Sequence, residues 1–179
     1  MVRERRVWNK QSLEKNSSKF LLFKGFTEKA PATYKYLLRL FCLMAYRMID
    51  DLTSDVMFEA TGKDLKELFS SAAQGLFSII CDRKDVKPAS KREVHVKGKD
   101  LRETMINYLQ ALIAVVDTEE MFFSKFVITK AEETEVAAEA YGEPFRPDLA
   151  GTVVKAVTYY NFSVEKTQKG WRCQVVVDV

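Results

Sequence analysis

The sequence predicts an α+β fold: a single domain of mostly antiparallel β-sheet with two α-helices, covering residues 46–179. Three observations predict it. Two stretches carry apolar residues at helical spacing behind a capping Asp. Several others alternate polar and apolar residues, or run apolar, over strand lengths. The last two strand-like runs are joined by Thr167-Gln168-Lys169-Gly170, a hairpin turn. At 179 residues and 47% hydrophobic content, the chain can bury one proper core.

Taken in order, residues 46–60 read as a strand pair broken by the acidic turn Asp50-Asp51-Leu52-Thr53-Ser54-Asp55, with Tyr46, Met48, Val56 and Phe58 facing inward. Asp64 with Glu67 three residues on is a capping arrangement. It opens a helix whose face holds Leu65, Leu68, Phe69, Ala72, Ala73, Leu76, Phe77 and Ile80. Residues 92–97, Arg-Glu-Val-His-Val-Lys, alternate as a half-buried strand ended by Gly98. Asp100 with Glu103 repeats the cap before a second helix, which runs to about Val116 with Leu101, Met105, Tyr108, Leu109, Leu112 and Ile113 on one face. Strands follow at 121–128, 135–141, 154–166 and 171–178, and residues 142–152, with Pro144, Pro147 and Gly151, form the principal loop. Trp171, Phe122, Phe123 and Phe126 sit in these strands and read as core, not as a platform for stacking bases.

Residues 1–44 carry 10 Lys/Arg against 3 Glu, and residues 45–179 carry 18 Lys/Arg against 22 Asp/Glu. A basic leader therefore precedes a mildly acidic body. The leader reads either as an arm able to touch RNA through phosphate charge, or as a solvated, disordered or incorrectly assigned start with Met44 or Met48 as the true one. Cys42, Cys81 and Cys173 are odd in number and lack a C-x-x-C spacing, which points to a reducing, cytoplasmic setting and to neither zinc nor a disulfide framework. The longest apolar stretch, residues 37–45, is interrupted by Arg39 and is far short of the ~20 residues a bilayer span needs, so no membrane crossing is expected. With one histidine, His95, and no phosphate-binding glycine loop or nucleophile set, most catalytic constellations built on imidazole are excluded. His95 itself reads as an ordinary strand residue.

The chemistry that remains lies in oxygen. The chain's last residues, Asp178 and Val179, follow a hydrophobic strand and offer a side-chain carboxylate beside the main-chain carboxylate. Asp55 closes the acidic turn just before another strand. If those two strands are neighbours, their ends lie about 4.8 Å apart. Anionic groups meeting there without a lysine would repel unless a cation joined them, and calcium or magnesium selects oxygen donors of this kind. The competing reading is that such Asp residues are solvated turn formers.

The order of acidic turn, Gly62-Lys63-Asp64-Leu65-Lys66-Glu67-Leu68-Phe69, Asp117-Thr118-Glu119, Val154-Lys155-Ala156-Val157-Thr158-Tyr159 and the closing Val176-Val177-Asp178-Val179 resembles the archease family, from about Tyr46 to Val179. The resemblance implies an accessory protein, not a catalyst. Archeases activate the RtcB-type RNA ligase of tRNA splicing, which uses GTP and divalent metal to guanylylate its own histidine. Contact with tRNA and GTP is then indirect, through the ligase. The resemblance also implies a divalent ion, calcium foremost, held by Asp55, Asp178 and Val179. It marks Lys155 as functional, its ammonium meeting either a carboxylate near the metal or a phosphate of GTP; the competing reading is an outward, solvated strand lysine. Asp51 becomes a partner-contacting acid or a turn cap, and Asp117 and Glu119 become an acidic rim or an ordinary helix end.

This chain departs from the family pattern at Leu52, Val116 and Tyr160, where many archeases have His. Two other classes stay open. One is a metal-dependent hydrolase that uses the same carboxylates to activate water. The other is an RNA-binding module acting through the basic leader.

Overall fold

A computed structural model describes residues 46–49 and 55–179; the leader, Asp51 and Leu52 lie outside the described residues. The elements are β1 (Tyr46–Ile49), β2 (Asp55–Gly62), α1 (Leu65–Ile80), β3 (Ser90–Lys97), α2 (Leu101–Glu119), β4 (Met121–Ala131), β5 (Glu135–Pro144), a 3-10 turn (Pro147–Leu149), β6 (Ala156–Thr167) and β7 (Gly170–Asp178). They form two antiparallel sheets, β1-β2-β7-β6 and β3-β5-β4. The fold is α+β, as the periodicities predict.

Both helices begin where their caps require. The Asp64 carboxylate accepts from the Glu67 N–H and the Asp100 carboxylate from the Glu103 N–H, each at 2.8 Å. The reciprocal arms are also present: Glu67 accepts from the Lys63 N–H and Glu103 from the Lys99 N–H. Two otherwise unpaired donors are thereby satisfied at each helix start. The helices bury their apolar faces between the sheets. Phe77 of α1 is fully buried and meets Phe123 edge-on and Phe126 tilted, with ring centroids 5.6 and 5.1 Å away. Phe69 meets Tyr108 of α2 in a T-shaped contact at 5.5 Å.

Sheet register follows burial. Met48 pairs with Phe58 and Tyr46 with Ala60, and Phe58 and Ala60 in turn pair with Val175 and Cys173. Phe58, Ala60, Val175 and Cys173 are fully buried. Slipping either pairing by one residue would turn these side chains to the other face.

Several boundaries move from those expected. α2 continues to Glu119 and stops at Glu120, whose left-handed backbone (φ 50°) breaks the helix. β6 starts at Ala156, two residues later than the alternation suggests. Part of the expected loop at 142–152 is strand, because β5 runs to Pro144. Gly142 is what permits this: a Cβ there would collide with the Phe122 carbonyl oxygen of the neighbouring strand, so only glycine lets the two backbones stay paired.

On the second sheet's outer face, Glu135 of β5 accepts from Lys130 and sits 2.6 Å from the His95 ring. Glu139 accepts from Lys91 and from the Tyr141 hydroxyl. The Lys130 ammonium, and then the His95 ring, hold the Glu135 carboxyl down at about 2 from an ordinary 4.5. Folding lowers this pKa, so its stabilising contribution is complete above pH 4.5 and is lost as pH falls toward about 2. Glu135→Gln removes the titration. The fall in Tm between about pH 6 and pH 2 should therefore be smaller in the variant than in wild type, and equal falls would show that the contact carries no linkage. In the core, Phe77→Ala removes a fully buried ring and its two aromatic neighbours. Denaturant unfolding should show a loss of about 3–5 kcal/mol, and a loss under about 1 kcal/mol would mean the cavity collapses freely.

Candidate metal centre

The β2–β7 register makes Asp55 and Asp178 direct cross-strand partners. Two residues opposite each other on antiparallel strands point to the same face with Cβ atoms about 4.5–5.5 Å apart. That face is set by the core: Phe58, Ala60, Val175 and Cys173 turn toward the helices, so Asp55 and Asp178 project from the opposite side. Ala156, first residue of β6, pairs with Asp178 on its other flank. It adds no bulk that would separate the carboxylates from solvent. Residues 55 and 178 are 123 apart in sequence, and the β2–β7 register brings them opposite each other.

Like charges directly opposite on a sheet repel, and the structure places one ammonium beside Asp178. Lys155, just before β6, donates its main-chain N–H to the Asp178 carbonyl at 2.9 Å. Its Nζ donates to the main-chain oxygen of Val179 at 2.9 Å and lies 3.9 Å from Asp178 Oδ1. The lysine and aspartate side chains are 63% and 47% exposed, so the pair is worth about 0–1 kcal/mol. Of the two contacts named for the Lys155 ammonium, a carboxylate or a phosphate of GTP, the structure holds the first, at Asp178.

The donor set suits a hard cation. Asp55, Asp178 and the main-chain oxygen of Val179 are all oxygens, with no thiol or imidazole among them. Among the described residues, however, no three His, Cys, Asp or Glu groups gather closely enough to hold a metal by side chains alone. Calcium takes roughly six to eight oxygens, so a cation here would complete its shell with water or with oxygens from a partner.

The remaining predicted residues are dispersed. Arg102 of α2 meets Tyr159 of β6, and Gln110 accepts from the Val157 N–H. The helix therefore runs antiparallel to β6, carrying Asp117 toward the end of the sheet where Lys155 and Asp178 lie. Glu119 is engaged by Arg92 in an ion pair. No hydrogen bond or ion pair among the described residues joins Asp117 or Glu119 to Asp55, Asp178 or Lys155. Of the positions departing from the family pattern, Val116 is half-buried against the core and Tyr160 is 62% exposed. Asp51 and Leu52 lie outside the described residues.

One feature near the site was missed in the sequence. Between the pairs Thr158–Val176 and Ser163–Gln174, four residues of β6 face one of β7. Asn161 takes a left-handed backbone (φ 49°) in this bulge, a conformation Asn tolerates better than most residues. Tyr159 and Tyr160 consequently both face solvent, and the Arg102 guanidinium lies 5.9 Å from the Tyr159 ring centroid and 5.7 Å from that of Phe162. The signal was available: Tyr-Tyr-Asn interrupts the alternation of an otherwise regular strand.

No helix among the described residues is long and apolar enough to cross a membrane. Residues 46–179 match the family described as "Archease protein family (MTH1598/TM1083)". A protein archease of Saccharolobus islandicus is 39% identical over 130 residues, covering 71% of this chain and 94% of that protein. One of Methanosarcina barkeri is 34% identical over 137 residues, covering 72% and 92%. The solution structure of Methanobacterium thermoautotrophicum protein 1598 superposes with a TM-score of 0.66 at 26% identity, over 76% of this chain and all of the other. By the family match over residues 46–179 and these likenesses, the chain belongs to the archease family.

Proposed function

We propose that the protein is a metal-binding accessory factor that activates an RtcB-type RNA ligase in tRNA splicing by promoting the ligase's metal- and GTP-dependent guanylylation. The observation that carries the reading is the cross-strand pairing of Asp55 with Asp178 at the exposed end of the first sheet. In this reading Asp55, Asp178 and Val179 hold a divalent cation, calcium foremost, and the protein itself catalyses nothing. When bound, the cation supplies positive charge for organising phosphate oxygens.

What this chain's own residues do is hold and present. The β2–β7 ladder fixes the two carboxylates on a rigid support, so little conformational freedom is lost when they engage a partner. Their exposure leaves room for a partner's oxygens to finish the coordination shell, which suits a protein that arranges metal at another protein's active site better than one that keeps it. The carboxylates also give this end of the sheet negative charge complementary to a cationic active-site mouth. That complementarity speeds encounter and is screened by salt.

Two measurements test the reading. With purified ligase, GTP and divalent cation, wild-type protein should accelerate formation of the ligase–guanylate adduct, and Asp55→Ala and Asp178→Ala should each lose most of that acceleration. Equal acceleration by all three would contradict it. Association with the ligase should slow as ionic strength rises, mainly in the on-rate. An on-rate indifferent to salt would place the docking surface away from the carboxylates.

A further inference from the structure

The oxygens assigned to the cation already hold one charge. Lys155 Nζ donates to the Val179 main-chain oxygen at 2.9 Å and approaches Asp178 Oδ1 at 3.9 Å. Those are two of the three donor residues, and an ammonium has three donors and no lone pair to offer a metal. A divalent ion bound to the same oxygens would sit about 2.0–2.6 Å from them, bringing a double positive charge within a few ångströms of Nζ. The two cannot share the oxygens in this arrangement.

We infer that Lys155 is a tethered competitor for the cation site: its ammonium occupies the Val179 and Asp178 oxygens until a divalent ion displaces it. The inference rests on the proposed reading of Asp55, Asp178 and Val179 as ligands. Three features suit Lys155 to the part. Its main chain is anchored by the 2.9 Å bond from its N–H to the Asp178 carbonyl, so displacement moves the flexible four-carbon side chain and leaves the sheet intact. The side chain is 63% exposed, so the ammonium can swing into water with little desolvation to undo. Its two contacts are exposed ones, of the weak kind that a stronger ligand replaces.

Two consequences follow. Without a divalent ion, Asp178 and the Val179 oxygen keep a counter-ion supplied by the chain. A monovalent ion that displaced the ammonium would exchange one positive charge for another and gain little, whereas a divalent ion gains a charge. Lys155 thus sets a threshold of valence and lowers the apparent affinity for calcium, so the ion is held loosely enough to be passed on.

The test is calorimetric titration of the full chain with calcium chloride at low ionic strength, using wild type, Lys155→Met and Asp178→Asn. Lys155→Met should bind calcium about fivefold to tenfold more tightly than wild type, with the gain shrinking as salt is added. Asp178→Asn should bind more weakly than wild type. In parallel, the Lys155 ammonium resonance in 15N-edited NMR should move to a solvent-like position when calcium saturates the wild type. Equal or weaker binding by Lys155→Met, or a resonance that calcium leaves unmoved, overturns the competitor role while leaving the ligand assignment standing. If neither wild type nor Lys155→Met binds calcium, the ligand assignment fails and the competitor role goes with it.

Discussion

The register between β2 and β7 is the constraint on which the rest depends. Phe58 against Val175 and Ala60 against Cys173 are fully buried cross-strand pairs. A slip of one residue would turn all four away from the helices and bring polar neighbours such as Glu59 and Gln174 into the core. Burial therefore dictates which residues sit opposite one another along the whole ladder, out to its end. Asp55 and Asp178 are the last pair of that ladder. Their proximity is a by-product of core packing, and a mutation far from the carboxylates that loosens the Phe58 contacts would loosen them too.

The same sheet explains why the site is open. Asp178 lies on the face opposite the helices, flanked by Asp55 on β2 and by small Ala156 on β6. Lys155 is held against it through the main-chain bond to the Asp178 carbonyl. Acid, acid and base are thus presented on three neighbouring segments, with the Lys155 and Asp178 side chains 63% and 47% exposed. On the proposed reading, oxygens of the partner complete the shell of the ion. The exposed Tyr159 and Tyr160, with Arg102 close to the Tyr159 ring, lie a few residues further along β6.

Much of the fold was legible because it is locally encoded. Asp64 and Asp100 announce their helices by capping geometry that depends on residues three apart. The alternation in residues 92–97 marks β3 for the same reason. The Thr167–Gly170 turn fixes the β6–β7 hairpin, and Gly170 takes the positive φ (130°) that only glycine adopts freely. Non-local features were legible only in part. That Asp55 and Asp178 could meet was readable as a condition on strand order, but strand order itself is set by tertiary packing. The position of the Lys155 ammonium depends on where the Val179 oxygen falls once β7 has paired on both edges, and no periodicity carries that information. The β6 bulge and the extension of β5 to Pro144 were hidden for a related reason: each depends on the neighbouring strand's backbone.

The central claim is that Asp55 and Asp178 act together on one cation. Anomalous diffraction from crystals soaked in manganese, which prefers the same oxygen donors, tests it most directly. The account predicts a single anomalous peak within coordination distance of both carboxylates, with the Lys155 ammonium turned away from the Val179 oxygen. A peak elsewhere, or no peak with Lys155 still resting on Val179, would contradict it.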